Sequence, residues 1–134
     1  RLHLCHVFTV DDLKYLHRGG RVSKTAAIAG SILGIKPLLH VDNEGHLIPV
    51  GKIRGRKQSI EKLVDMMCER MGNWDNSTVA VCHGDCLSDA EYAADLMRKK
   101  LGKKTTVHIC YTGAVIGSHS GPGTLALFFM GDQR

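Results

Sequence analysis

Aromatic residues are scarce: one Trp, three Tyr and three Phe among 134 residues. None is interleaved with the two basic clusters, Lys52-Ile53-Arg54-Gly55-Arg56-Lys57 and Arg98-Lys99-Lys100-Leu101-Gly102-Lys103-Lys104. The stacking platform that single-stranded nucleic acid needs is therefore lacking, although the formal charge of +5 keeps nucleic-acid binding as a distant alternative. Cysteines at 5, 68, 82, 86 and 110 form no C-x-x-C pair, which fits reduced thiols in a cytoplasmic protein better than a disulfide framework. No apolar leader with a small-residue cleavage site opens the chain, so export has no support. The stretch from Thr105 to Gly131 carries no Asp, Glu, Lys or Arg, yet five glycines, a proline, two histidines and several hydroxyls exclude a membrane span. Neither G-x-G-x-x-G nor the Gly-Lys-Ser/Thr end of a phosphate loop occurs, and no G-x-S-x-G elbow is present.

What is present has the composition of one globular domain: 43% hydrophobic and 23% charged. A chain of 14.7 kDa buries about two thirds of its extended surface, enough for a core without disulfides or structural metal. It opens on Arg1 rather than an initiator methionine, which predicts a processed product or an excised part of something longer.

Periodicity gives a run of elements. Leu2 to Val7 reads as a strand, with Thr9 as N-cap of a short helix over Asp11 to His17 that ends at Gly19-Gly20. Ser23 caps a second helix, apolar on nearly all sides, which runs to Leu33. Leu38 to Val41 and Leu47 to Ile53 form a hairpin through Asp42-Asn43-Glu44-Gly45. Ile60, Leu63, Val64, Met67 and Met71 recur at helical spacing. Val79 to His83 and Val107 to Cys110 are strands around a helix over Ala90 to Leu101, whose start Asp85, Ser88 and Asp89 are placed to cap. Leu125 to Met130 is a continuous apolar strand. The sum is an α/β fold with a mixed β-sheet and helices on its faces, undivided into domains.

Four segments could carry chemistry. Gly113-Ala114-Val115-Ile116-Gly117-Ser118-His119-Ser120-Gly121-Pro122-Gly123 reads as a Gly-rich loop in which backbone N–H groups, the Ser118 and Ser120 hydroxyls and the His119 imidazole could all donate to one anion; a plain Gly/Pro turn is the even alternative. Arg18-Gly19-Gly20-Arg21-Val22-Ser23 puts arginines near a helix start, where an anion is favoured, though a Gly-rich turn with solvated arginines reads better from composition alone. The Lys52 to Lys57 step is a candidate partner surface, whereas the second basic cluster lies at a helix C-terminus, where cations are ordinarily favoured. Cys82-His83-Gly84-Asp85-Cys86 lacks the matching ligand pair of a structural zinc site, and no metal is expected there.

In their order, these pieces resemble the C-terminal part of the DegV family of bacterial fatty-acid-binding proteins. The matching motifs are Phe8-x-Val10-x-Asp12-Leu13-x-Tyr15-Leu16, Gly19-Gly20-Arg21-Val22-Ser23, Leu33-Gly34-Ile35-Lys36-Pro37-Leu38, Lys52-x-Arg54-Gly55 and Val115 to Gly123. The resemblance implies the C-terminal half of a two-domain fold, with residues 1–134 as a lipid-binding domain and the N-terminal domain absent from this chain. It implies a non-catalytic protein that holds one long-chain fatty acid, such as palmitate or oleate, and presents its carboxylate to the catalytic subunit of a fatty-acid kinase. His119, with Ser118 and Ser120, is the implied carboxylate contact. Arg21 and Arg54 sit in family motifs as contacts to the anion or partner. Ile28, Ile32 and Leu33 of the apolar helix, with Leu125 and Leu127 of the last strand, are candidate walls for the acyl tail, their reading as core standing beside it. Burying about fourteen methylenes gives on the order of 11 kcal/mol gross. Association costs about 4 to 15 kcal/mol, so a tail must be enclosed almost completely. Docking of an acidic partner through the basic step is the alternative function.

Overall fold

The structure is a computed structural model that describes residues 2–23 and 34–132. The expected apolar helix, with Ile28, Ile32 and Leu33, lies outside the described residues. Among these residues the elements run β1 (Leu4–Thr9), α1 (Lys14–Arg18), β2 (Ile35–Val41), β3 (Leu47–Arg54), α2 (Arg56–Arg70), β4 (Thr78–His83), α3 (Leu87–Leu101), β5 (Thr106–Tyr111), α4 (Ala114–Ser120) and β6 (Leu125–Met130). The six strands form one mixed sheet in the order β3-β2-β1-β6-β4-β5, in which β4 and β5 are parallel and every other pair is antiparallel. The α/β mixed sheet expected from the sequence is thus the fold observed.

Strand alternation sorts the side chains to two faces. In β6, Leu125, Leu127 and Phe129 are buried on one face with Val7, Val79 and Val81, under Ile60, Leu63, Val64 and Met67 of α2 and Ala90, Ala93 and Met97 of α3. On the other face Phe8 and Leu39 meet Leu13 and Leu16 around α1, with Ala126 packed alongside. The period of α2 and α3 predicts this burial, since their apolar positions fall on one stripe. The hairpin between β2 and β3 turns on Asp42, whose Oδ1 accepts the N–H groups of Glu44 and His46, with Gly45 alone at positive φ.

Two expected caps are corrected. Thr9 is buried inside β1 and its hydroxyl donates to Pro37 O at 2.7 Å, tying β1 to β2, while α1 starts five residues later without a side-chain cap of its own. Asp85, Ser88 and Asp89 do not cap α3: Cys86 holds that position without a side-chain bond, and Asp89 pairs with Arg56 instead. Among the described residues no helix is long and apolar enough to cross a membrane.

Candidate functional site

The candidate residues gather at one end of the sheet. Thr9, Arg54, His83 and Tyr111 end β1, β3, β4 and β5 there, while Ile35 and Leu125 begin β2 and β6. Backbone bonds fasten the Gly113 to Gly123 segment to this end. Thr112 N donates to His83 O, Gly84 N to Thr124 O and Gly123 N to Gly84 O, at 2.8, 2.8 and 2.7 Å.

Within that frame the segment is a helix, α4, where the sequence reads as a loop. From Gly117 onward its N–H groups are consumed internally, as in Gly117 N to Gly113 O and Gly121 N to Gly117 O. The two hydroxyls turn inward as well, Ser118 Oγ donating to Val115 O at 2.8 Å and buried Ser120 Oγ to Ile116 O at 2.9 Å. The two hydroxyls and the later N–H groups therefore do not form the expected row of donors around an anion, because the helix already holds their protons. The half-buried His119 imidazole remains, and among the described residues it has no hydrogen-bond partner.

α4 lies against α1 through close contacts at glycines. The His119 ring covers Gly19, the Tyr15 ring covers Gly121 and the Asp11 carboxylate covers Gly123. Asp11 precedes α1, Tyr15 lies within it and Gly19 follows it, so the helix and both its flanks meet the end of α4 and the turn after it.

The arginines divide. Arg21 is exposed and folds back to donate to Gly19 O, and Arg54 is exposed at the end of β3. Arg56 is not part of a basic surface step, which corrects its assignment from sequence. Its side chain is only 20% exposed, and its Nε donates to Asp89 Oδ2 at 2.8 Å. Its Nη2 reaches Cys86 Sγ at 3.6 Å, and Nη1 lies 3.6 Å from Asp11 Oδ1. Lys36 Nζ meets the same Asp11 oxygen at 2.8 Å. Arg56 thus joins the β1–α1 connection to α2 and α3, as a buried charge with partners must.

Leu125 and Leu127, offered as tail walls, are fully buried in the core beneath α2 and α3, so no ligand reaches them. The same strand presents half-buried Ala126 and Phe128 to the opposite face. Cys82, His83 and Cys86 have separate partners. His83 is buried, stacks on Tyr111 at 4.3 Å and accepts the Cys86 N–H at Nδ1, while Cys86 Sγ donates to Thr124 O. Burial raises the Cys86 thiol against the pull of Arg56. Burial, reinforced by its hydrogen bond with Cys110, pushes Cys82 up to about 12. Sequence reasoning missed the roles of Asp11, Tyr15, Gly19 and Arg56. No local pattern in the sequence hints at them.

A family model described as "Uncharacterised protein, DegV family" matches residues 1–132. This chain belongs to the DegV family. A DegV domain-containing protein of Clostridium perfringens is 48% identical over 131 residues, covering 98% of this chain and 45% of that protein. The crystal structure of a fatty acid binding DegV family protein from Streptococcus agalactiae is 30% identical with a TM-score of 0.83, covering 98% of this chain and 46% of that one. The Streptococcus pneumoniae fatty acid kinase B3 protein, solved loaded with linoleic acid, shares the fold alone at 17% identity, with a TM-score of 0.86 over 97% of this chain and 45% of its own. The DegV chain described here spans less than half the length of each of these relatives.

Proposed function

We propose that residues 1–134 are the C-terminal lipid-binding domain of a larger cytoplasmic, non-catalytic DegV protein that holds one long-chain fatty acid, with His119 at its carboxylate. The observation that carries this reading is the His119 imidazole itself. It is half-buried at the sheet end, on a helix whose two serine hydroxyls are already bonded, and it has no hydrogen-bond partner among the described residues. An imidazolium there supplies one charge-assisted hydrogen bond to a carboxylate. Ser118 and Ser120 hold α4 in shape, and donate to the ligand only by breaking their bonds to Val115 O and Ile116 O. Ala126 and Phe128 replace Leu125 and Leu127 as the surface that β6 offers an acyl tail. The Streptococcus agalactiae relative, which binds fatty acid, supports the ligand class.

Presentation of the carboxylate to a fatty-acid kinase subunit rests on the DegV resemblance and on the fold shared with the kinase B3 protein. Exposed Arg21 and Arg54 are the partner-facing cations in this reading, and an acidic surface is what they fit. Mass spectrometry of the gently purified full-length protein is expected to find a fatty acid bound. Finding none, together with no uptake of added palmitate or oleate, overturns the proposal.

A further inference from the structure

Gly19 has a backbone that any L-residue adopts, at φ −78° and ψ −2°, so conformation does not require glycine there. Its neighbour Gly20 is the opposite case. At φ +72° it needs glycine for its backbone, and a Cβ on it meets nothing within 4 Å. A Cβ on Gly19 lands 2.2 Å from His119 Nδ1, 3.0 Å from Cγ and 3.2 Å from Cε1.

We infer that Gly19 is the positioning residue for His119: the missing side chain is the seat on which the imidazole lies. This inference rests on the fatty-acid reading of His119 and specifies how that residue is aimed. An added methyl group meets only the imidazole, a side chain that turns more readily than the hydrogen-bonded backbones on either side of it can shift. Gly19 N donates to Tyr15 O and Gly19 O accepts from Arg21, while α4 is clamped through Gly84, Gly123 and Thr124. The imidazole must therefore rotate away. With the Nδ1 edge of the ring on Gly19, Nε2 is the nitrogen left for the carboxylate. The adjacent glycines thus serve different ends, Gly20 the turn and Gly19 the ligand.

A double-mutant cycle in the full-length protein tests this, with binding of palmitate and the thermal midpoint as two readouts. Gly19→Ala is expected to weaken palmitate binding roughly tenfold to a hundredfold, the loss of one charge-assisted hydrogen bond. In a His119→Ala background the same change is expected to alter affinity less than about twofold and to leave the midpoint unmoved, because the ring it displaces is gone. Gly20→Ala is expected to lower the midpoint equally in both backgrounds while affinity holds. Equal effects of Gly19→Ala in the two backgrounds, or no effect in either, overturn the inference. If Gly19→Ala alone does not fold, folding of the double variant supports the seat and its failure contradicts it. If the unsubstituted protein takes up no palmitate, the fatty-acid reading fails, and the midpoints still decide whether Gly19 seats the ring.

Discussion

The sheet face under α2 and α3 and the α1–α4 contact at the sheet end are built on opposite principles. Under α2 and α3 the core is made of what side chains fill: Leu63, Val64, Met67, Met97, Leu127 and Phe129 are all at or near zero exposure. At the sheet end, beside the smaller core of Phe8, Leu13, Leu16 and Leu39, α1 and α4 meet through what is missing, with an imidazole, a phenol ring and a carboxylate lying on glycines. A filled core holds its shape by many interchangeable apolar contacts, whereas a seat on a glycine depends on one position with no substitute. Stability and function are therefore expected to separate between these two regions.

Substitutions can break that comparison, the strongest on the filled face. Phe129→Ala or Leu63→Ala leaves a cavity under α2 and is expected to cost about 3 to 5 kcal/mol in urea unfolding. A loss under about 1 kcal/mol at both would mean that this face is not the packed one. Arg56→Ala comes next, since it strips Asp11 and Asp89 of a shared cation. The expected loss is about 1 to 3 kcal/mol, against less than about 0.5 kcal/mol for exposed Arg54→Ala. Equal losses at the two arginines would return Arg56 to the surface. At the seat, His119→Ala is expected to change stability by less than about 0.5 kcal/mol and to weaken palmitate binding at least tenfold. A large loss of stability with binding retained would make the imidazole a packing residue.

The smallest effect concerns thiols on the sheet face opposite α2 and α3. Exposed Cys110 is expected to take iodoacetamide at pH 8 to 9 before Cys82, whose thiol keeps its proton up to about 12. Because burial holds the Cys82 proton in the folded state above its ordinary range, its contribution to stability is full below about pH 9 and is lost as pH rises toward 12. Peptide mapping that finds Cys82 labelled first would show that the open face is not arranged as described.

How much of this could be read from sequence follows the same division. α2, α3 and β6 announce themselves by apolar spacing, because a filled core imposes a period on the elements that cover it. α4 hides, since Gly117 in its interior and the β-branched Val115 and Ile116 argue against a helix that tertiary clamps nevertheless close, with Gly113 and Gly121 at its two ends. Thr9 looks like a cap until its hydroxyl is found on Pro37 O. Arg56 looks like one of a basic run because the carboxylates that hold it, Asp11 and Asp89, are remote in the chain. Glycine as a seat has no local signature at all: Gly19 and Gly20 are adjacent and identical in sequence, and only the presence of His119 above one of them separates their roles.

Titration of the His119 imidazole by NMR, in the full-length protein with and without palmitate, tests the account most directly. A carboxylate at the ring favours its charged form, so the imidazole is predicted to stay protonated to higher pH when the fatty acid is bound. Identical titration in the two states, with palmitate demonstrably bound, would contradict it.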